Sequence, residues 1–156
     1  MPKNLRSLVV LVAATLLLGA PSALARTVPA ISHQPSYDFL FNSRFTCWVA
    51  GWGAMTNRCS TTRFLDIPLS VDNPGGGKQV IVNVIAPNRN ADVDCTVFSA
   101  NADGSGHHRS PARSAPSFGA ASQIVFPGVS AASGGTFLVS CAVDPGASVI
   151  SVQYDH

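Results

Sequence analysis

The sequence predicts an all-β fold, an antiparallel β-sandwich of the jelly-roll or immunoglobulin-like kind, with seven to eight short strands and two disulfides. Apolar and polar residues alternate with period two in several short segments. Turn-forming glycine, proline, asparagine and aspartate residues follow each of these segments, and no segment has helical periodicity. Short strands separated by regular turns are typical of antiparallel sandwiches.

The N-terminus has the three parts of a secretory signal peptide. Lys3 and Arg6 form a positive region, and residues 8–18 form an apolar run too short to span a bilayer. Residues 23–25, Ala-Leu-Ala, match the small residues that signal peptidase accepts. We therefore expect residues 1–25 to be cleaved, which predicts a secreted or periplasmic protein with no transmembrane segment after cleavage.

The mature part is predicted to be one domain. Residues 26–36 are rich in proline and polar residues and are expected to form an extended leader, followed by a single sandwich domain over residues 37–156. Without Lys3 and Arg6 of the predicted signal peptide, eight basic residues balance eight aspartates, and there is no glutamate. Such a neutral chain argues against nucleic acid as a partner, because affinity for the phosphate backbone comes from clustered lysine and arginine.

All four cysteines lie in the predicted mature part. An even number in an oxidising compartment predicts two disulfides, and the spacing contains no zinc knuckle. Cys95 and Cys141 both fall on the apolar faces of predicted strands, so a bridge between them would lie inside the sandwich. Cys47 and Cys59 would then close a local loop.

Three strand predictions concern position in the sheets. Pro68 lies on the polar face of an alternating segment, which is typical of an edge strand. Residues 79–86 are almost continuously valine and isoleucine, as in a central strand. In the last predicted strand, alternation places Ile150, Val152 and Tyr154 on the inner face.

Two segments of the C-terminal half carry a resemblance to known proteins. They are DVDCTVFSANADG, residues 92–104, and GTFLVSCAVDPGASVISVQY, residues 135–154. Together they resemble the C-terminal half of small exported bacterial disulfide-bonded β-sandwich proteins of no assigned activity. The similarity covers about half of the mature chain and excludes the loop between Cys47 and Cys59. It implies a secreted sandwich and carries over no catalytic residue.

The loop between the first two cysteines contains the candidate ligand-binding residues, Trp48 and Trp52. Two tryptophans in a disulfide-closed loop could form a platform that stacks on sugar rings. Trp48 could instead pack against the neighbouring disulfide, as in immunoglobulin-like domains, and this core position is favoured. For Trp52, which lies between Gly51 and Gly53, an exposed and a buried position are both open.

Other motifs do not establish a catalytic site. His107 and His108 are the candidate metal ligands, but a solvated loop over residues 101–117 is the favoured interpretation. Asp92 and Asp94 could share a strand face, although two solvated turn aspartates are favoured over a glycosidase pair. With both disulfides formed, no thiol nucleophile remains. We therefore predict no catalytic residue and no cofactor.

These observations predict a non-catalytic protein that acts by binding or as an envelope or surface component. Its partner would be a polysaccharide or another envelope protein. The alternatives are a carbohydrate-binding module that uses Trp52 and, less favoured, a small secreted hydrolase. A protein-inhibitor role is a further alternative.

Overall fold

The computed structural model describes residues 26–30, 47–70, 77–101, 103, 108–130 and 135–155. The predicted signal peptide and most of the predicted leader lie outside these residues. The described residues form eleven strands in two antiparallel sheets and contain no α-helix. The all-β antiparallel sandwich predicted from the sequence is therefore confirmed.

The strands, in chain order, are β1 (Arg26–Pro29), β2 (Trp48–Gly51), β3 (Ala54–Asn57), β4 (Arg63–Leu69), β5 (Lys78–Ile85), β6 (Val93–Ala100), β7 (His108–Arg109), β8 (Arg113–Ser114), β9 (Ala121–Val129), β10 (Thr136–Val143) and β11 (Ser148–Tyr154). Sheet A has the order β2-β3-β11-β5-β9, and β1 pairs with β11 beside β3. Sheet B has the order β4-β10-β6-β7, and β8 also pairs with β6. In the described part of the chain, no helix has the length and apolarity that a membrane crossing requires.

The core lies between the two sheets and follows from period-two alternation. On β5 the residues Val80, Val82 and Val84 are buried, whereas the residues between them are half-buried on the other face. Sheet B contributes apolar residues in the same way, for example Phe137 and Val139 of β10. Each fully buried side chain of this size stabilises the fold by roughly 1.5–3 kcal/mol.

Two positional predictions for the strands are confirmed. β5 lies inside sheet A, between β11 and β9, as its apolar sequence indicates. Pro68 is exposed on β4, which is an edge strand of sheet B. An edge position suits proline because proline has no N–H to donate to a neighbouring strand.

The predicted inner face of the last strand is wrong at Ile150. Val149 pairs with Val84, but Ser151 pairs with Asn83, so Ile150 is an extra residue in a β-bulge. The bulge shifts the alternation by one position. As a result Val149 joins Val152 and Tyr154 on the buried face, while Ile150 is only half-buried.

The number of strands exceeds the prediction because the additional strands are short. Residues 108–109 and 113–114, expected to belong to one long polar loop, pair with β6 as β7 and β8. Residues 26–29, expected to be an extended leader, form β1. Val28 of β1 packs against the core, and Ala30 directly after it is fully buried. This part of the expected leader therefore belongs to the domain.

Both predicted disulfides form. Cys47 bonds to Cys59 with Cα atoms 4.8 Å apart, and Cys95 bonds to Cys141 with Cα atoms 4.1 Å apart. Among the described residues no cysteine is free. Cys95 and Cys141 lie on the buried face of sheet B, as their apolar neighbours indicate.

Candidate functional site

The segment between Cys47 and Cys59 is a β-hairpin with a tryptophan at its tip. β2 and β3 pair through the last residue of one and the first of the other, Gly51 and Ala54. Only Trp52 and Gly53 remain for the turn, and both have positive φ angles, 53° and 83°. Positive φ at both turn residues is typical of the tight type I′ hairpin turn, whose twist matches that of the strands.

Trp52 is both exposed and conformationally strained. Its relative exposure is 105%, so no neighbouring residue covers its side chain in the described structure. Its φ of 53° lies in the left-handed region, where a bulky side chain is rarely found. Asparagine, aspartate or glycine would normally occupy this turn position. Strain of this kind costs on the order of 1–3 kcal/mol and concentrates at functional sites.

The base of the hairpin is held by Asn57, a fully buried side chain at the end of β3. Its amide Nδ2 donates to the carbonyl oxygens of Val143 at 2.7 Å and Thr61 at 3.0 Å. Its Oδ1 accepts a hydrogen bond of 2.8 Å from the Cys59 N–H. The hairpin is therefore fastened to the end of β10 as well as closed by the Cys47–Cys59 bond.

Sequence reasoning did not single out Asn57. The signal that points to it is an asparagine two positions before a disulfide cysteine, where its side chain can bond to the backbone of the following turn. The Asn57 backbone is bonded too: its N–H donates to the Ala147 carbonyl at 3.0 Å, and its carbonyl accepts from the Gly146 N–H at 2.6 Å.

Trp48 differs from Trp52 in its surroundings. Trp48 is half-buried and packs against the core. The two tryptophans therefore do not form one exposed platform. Of the pair, only Trp52 presents its whole indole ring to solvent.

A second feature lies on the outer face of sheet A, the face turned away from the core. Gln123 of β9, Asn83 of β5 and Ser151 of β11 occupy neighbouring positions on three adjacent strands. The Gln123 amide donates to Asn83 Oδ1 at 3.0 Å, and the Asn83 amide donates to Ser151 Oγ at 3.0 Å. We call these three residues the amide row.

The amide row lies in a shallow depression of about 460 Å³. Besides the row, the depression is lined by Ala121, Ser122, Ile150 and Gln153. None of the seven lining side chains is ionisable. Ile150 lines it because the bulge in β11 moves this side chain out of the core, and bulges of this kind often re-aim side chains next to functional sites.

The candidate metal site gains no support from the described residues. His107 lies outside them. His108 is exposed in β7, where it pairs with Ser99. No group of three or more histidine, cysteine or acidic side chains that could hold a metal ion occurs within the described ranges.

Three aspartates near the ends of sheet B serve as hydrogen-bond acceptors for the fold. Asp92 Oδ1 accepts from the Val93 N–H at 2.7 Å, and Asp94 accepts from the Ser114 hydroxyl. Asp144 accepts from the Thr62 hydroxyl at 2.5 Å with one oxygen and from the Asp92 N–H at 3.1 Å with the other. These bonds tie turns to strands and give Asp92 and Asp94 a structural role.

The outer face of sheet B has a different character. Phe64 on the edge strand β4 is exposed over 58% of its surface. On the same face, toward the other edge of the sheet, the Arg109 guanidinium lies over the Phe98 ring, 5.4 Å from its centre. This face therefore combines aromatic and charged side chains, in contrast to the depression on sheet A.

Comparison with known proteins gives similarity of structure only. No protein-family model matches the chain, and no curated protein matches it in sequence. Three similar solved structures contain carbohydrate-binding modules. The module CBM6cm-2 from Cellvibrio mixtus lichenase 5A, in complex with cellotriose, has a TM-score of 0.49 at 16% identity and matches 84% of this chain and 96% of its own.

The other two are more distant. TmCBM61, in complex with β-1,4-galactotriose, has a TM-score of 0.46 at 10% identity, over 84% of this chain and 79% of its own. The Podospora anserina GH26-CBM35 β-(1,4)-mannanase has a TM-score of 0.40 at 12% identity, over 84% of this chain but only 27% of its own. At these identities the likeness concerns the fold alone.

Proposed function

We propose that this protein is an exported, non-catalytic binding protein and that the Trp52 hairpin is its binding element. The single observation that carries the proposal is the state of Trp52, which is fully exposed and held at a positive φ. A folded protein gains nothing for its own stability from such a residue. The strain and the exposed apolar surface are both explained when Trp52 is covered by a ligand.

The mechanics of the hairpin support this role. The turn is short, the Cys47–Cys59 bond closes its base, and Asn57 fastens it to β10. A binding residue on such a rigid element loses little conformational freedom when the ligand arrives. Burial of an indole ring against a partner contributes roughly 2 kcal/mol or more through its apolar surface.

Export is proposed together with binding. Both disulfides join buried or half-buried cysteines, and such bonds persist in oxidising compartments outside the cytoplasm. A secreted or periplasmic location fits these bonds and the signal peptide that the sequence predicts.

The non-catalytic part of the proposal is supported by three aspartates near the ends of sheet B. Asp92, Asp94 and Asp144 are engaged with backbone N–H groups or hydroxyls of the fold. A general acid or base must instead be free to reach a substrate proton. Hydrolysis of an oligosaccharide by the mature protein that disappears in His107→Ala would overturn this part.

Carbohydrate is the ligand class that the exposed indole favours. The C–H groups on one side of a pyranose ring form an apolar surface that packs on an aromatic face, while the ring hydroxyls stay hydrated. Gly51 and Gly53 on either side of Trp52 carry no side chains, and a Cβ at either position would meet no atom within 4 Å. A sugar ring therefore has access to the indole from both neighbouring positions.

The test is a fluorescence titration of the mature protein with cellotriose and with β-1,4-galactotriose. Sugar binding at the hairpin predicts a saturable change in the emission of the exposed tryptophan. Because the Trp52 variants lack this fluorophore, calorimetric titration with the same sugars follows their binding, which should be lost in Trp52→Ala and kept in part in Trp52→Tyr. The matched control is Phe64→Ala, which removes an exposed aromatic ring from sheet B and should leave the titration unchanged. A response that persists in Trp52→Ala would reject Trp52 as the binding residue.

A further inference from the structure

We propose that the depression on the outer face of sheet A is a second binding site, separate from the Trp52 hairpin, and that it takes an uncharged glycan chain. The amide row forms its centre. This site goes beyond the proposed function, since it uses neither Trp52 nor the hairpin. A negative binding result at one site leaves the other site testable.

The first argument is the direction of the hydrogen bonds in the row. Gln123 donates to Asn83, and Asn83 donates to Ser151, so the Ser151 hydroxyl acts as an acceptor within the row. Its own hydrogen is then available to an outside acceptor. At the other end, Gln123 Oε1 is not used within the row and can accept from an outside donor. The row therefore offers a donor and an acceptor at fixed places, which suits hydroxyl groups that both donate and accept.

The second argument is the surface on either side of the row. Neighbouring strands are about 4.8 Å apart, so the three side chains extend over roughly 10 Å. By strand alternation, Ile81 and Ile85 lie on the same face as Asn83, about 7 Å before and after it. Both isoleucines are half-buried. Polar groups in the middle with aliphatic surface beside them match a sugar chain, which presents hydroxyls and C–H groups together.

The third argument is charge. Three rows of paired residues cross this face of sheet A and include no ionisable side chain. These rows are Val49-Thr56-Ser148-Ile85-Ala121, Pro29-Ser151-Asn83-Gln123 and Thr27-Gln153-Ile81-Val125. A phosphate or carboxylate group placed here would lose its hydration without gaining a cation. The face thus selects uncharged ligands, and its binding should be insensitive to salt.

A second copy of the chain fits this face less well. The centre of a homodimer interface is enriched in apolar side chains, whereas the centre of this face is the amide row. We therefore assign the depression to a glycan and treat self-association as an outcome of the test.

The experiment is an NMR titration of the ¹⁵N-labelled mature protein with the uncharged hexasaccharides of cellulose, xylan and mannan. Hexagalacturonate is the charged counterpart. Side-chain amide signals, assigned with Asn83→Ala and Gln123→Ala, report on the depression, and the indole N–H signal of Trp52 reports on the hairpin. We expect at least one uncharged hexasaccharide to shift both amide signals with an affinity that 0.5 M NaCl leaves unchanged, and hexagalacturonate to shift neither.

Variants then assign the effect to individual residues. Gln123→Ala, an exposed position, should weaken binding about fivefold, which is the effect of losing one neutral hydrogen bond. Trp52→Ala should leave the amide shifts and the affinity of the depression within about twofold. The matched control is Asn90→Ala, an exposed asparagine in the turn after β5. Thermal melts of each variant confirm that it is folded.

Each other outcome overturns the inference. Shifts confined to the Trp52 indole leave the proposed function standing and remove the second site. Amide shifts that vanish in Trp52→Ala show one site instead of two. Amide signals that depend on protein concentration without sugar, with a dimer in sedimentation, assign the face to a second copy. An absence of amide shifts at millimolar concentrations of all three uncharged hexasaccharides rejects the glycan.

Discussion

Cys95 of β6 and Cys141 of β10 lie directly opposite each other in sheet B, and their disulfide joins two strands that are already hydrogen-bonded neighbours. The bond therefore links two strands within sheet B and does not connect sheet B to sheet A. The bond stabilises the fold because it confines the chain between the two cysteines to a closed loop in the unfolded state, which lowers the entropy of that state.

This arrangement predicts different costs for removing the two disulfides. The sequence separations are 46 residues for Cys95–Cys141 and 12 for Cys47–Cys59. Loop entropy gives a loss of about 4 kcal/mol for the double alanine variant of the first pair and about 3 kcal/mol for that of the second. Urea unfolding followed by circular dichroism measures both. A larger loss for the shorter loop would show that the Cys47–Cys59 bond does more than restrict the unfolded chain.

The strained turn predicts that Trp52→Asn stabilises the protein while it removes binding. Asparagine followed by Gly53 is the preferred pair for this turn, and the change relieves the positive φ of a bulky residue. We expect the free energy of unfolding to rise by about 1 kcal/mol. The control is Trp48→Ala, which removes a ring packed against the core and should lower stability by about 2 kcal/mol. Loss of stability in Trp52→Asn would contradict the assignment of strain.

The buried side chain of Asn57 predicts a large loss of stability in Asn57→Ala. The substitution leaves the Val143 carbonyl and the Cys59 N–H without their side-chain partner in the interior. Each unpaired buried group costs about 1–3 kcal/mol, so we expect a total loss of about 3 kcal/mol in chemical denaturation. Asn90→Ala, at an exposed turn, should stay within about 0.5 kcal/mol of the parent. A similarly small effect for Asn57→Ala would mean that water replaces the amide.

The first strand predicts a loss of stability and of local protection when residues 26–30 are deleted. Their removal takes Val28 and the buried Ala30 from the core and exposes the edge of β11. We expect a loss of about 2 kcal/mol. Hydrogen exchange should accelerate for amides of Ser151–Tyr154, which pair with β1, more than for those of β10, which does not pair with β1. Equal acceleration in both strands would indicate global destabilisation without a local role.

The fold class could be predicted because alternation depends only on local sequence. The valines of β5 and the pattern around Cys141 determine which face is buried before any pairing is known. Ile150 shows where this reasoning ends. A bulge adds one residue without a local signal, because it depends on the register with β5, and the register is set by distant residues.

The candidate sites were predictable to different degrees. Trp52 stands out in the sequence because glycines flank it, although its φ and its exposure come only from the hairpin geometry. The amide row has no signal in the sequence. Asn83, Gln123 and Ser151 lie far apart along the chain, and only the pairing of β5 with β9 and β11 brings them together.

The position of β11 within sheet A has a consequence for the order of folding. β11 is the last of the described strands, yet it is the one that joins β1 and β3 on one side to β5 on the other. Synthesis adds about 5–20 residues per second. The strands β1, β3 and β5 therefore cannot be joined in sheet A until β11 has been made. Pairings between such distant segments also form slowly. Sheet A of such a chain stays incomplete for most of its synthesis, and the export proposed above would require a chain in this unfolded state.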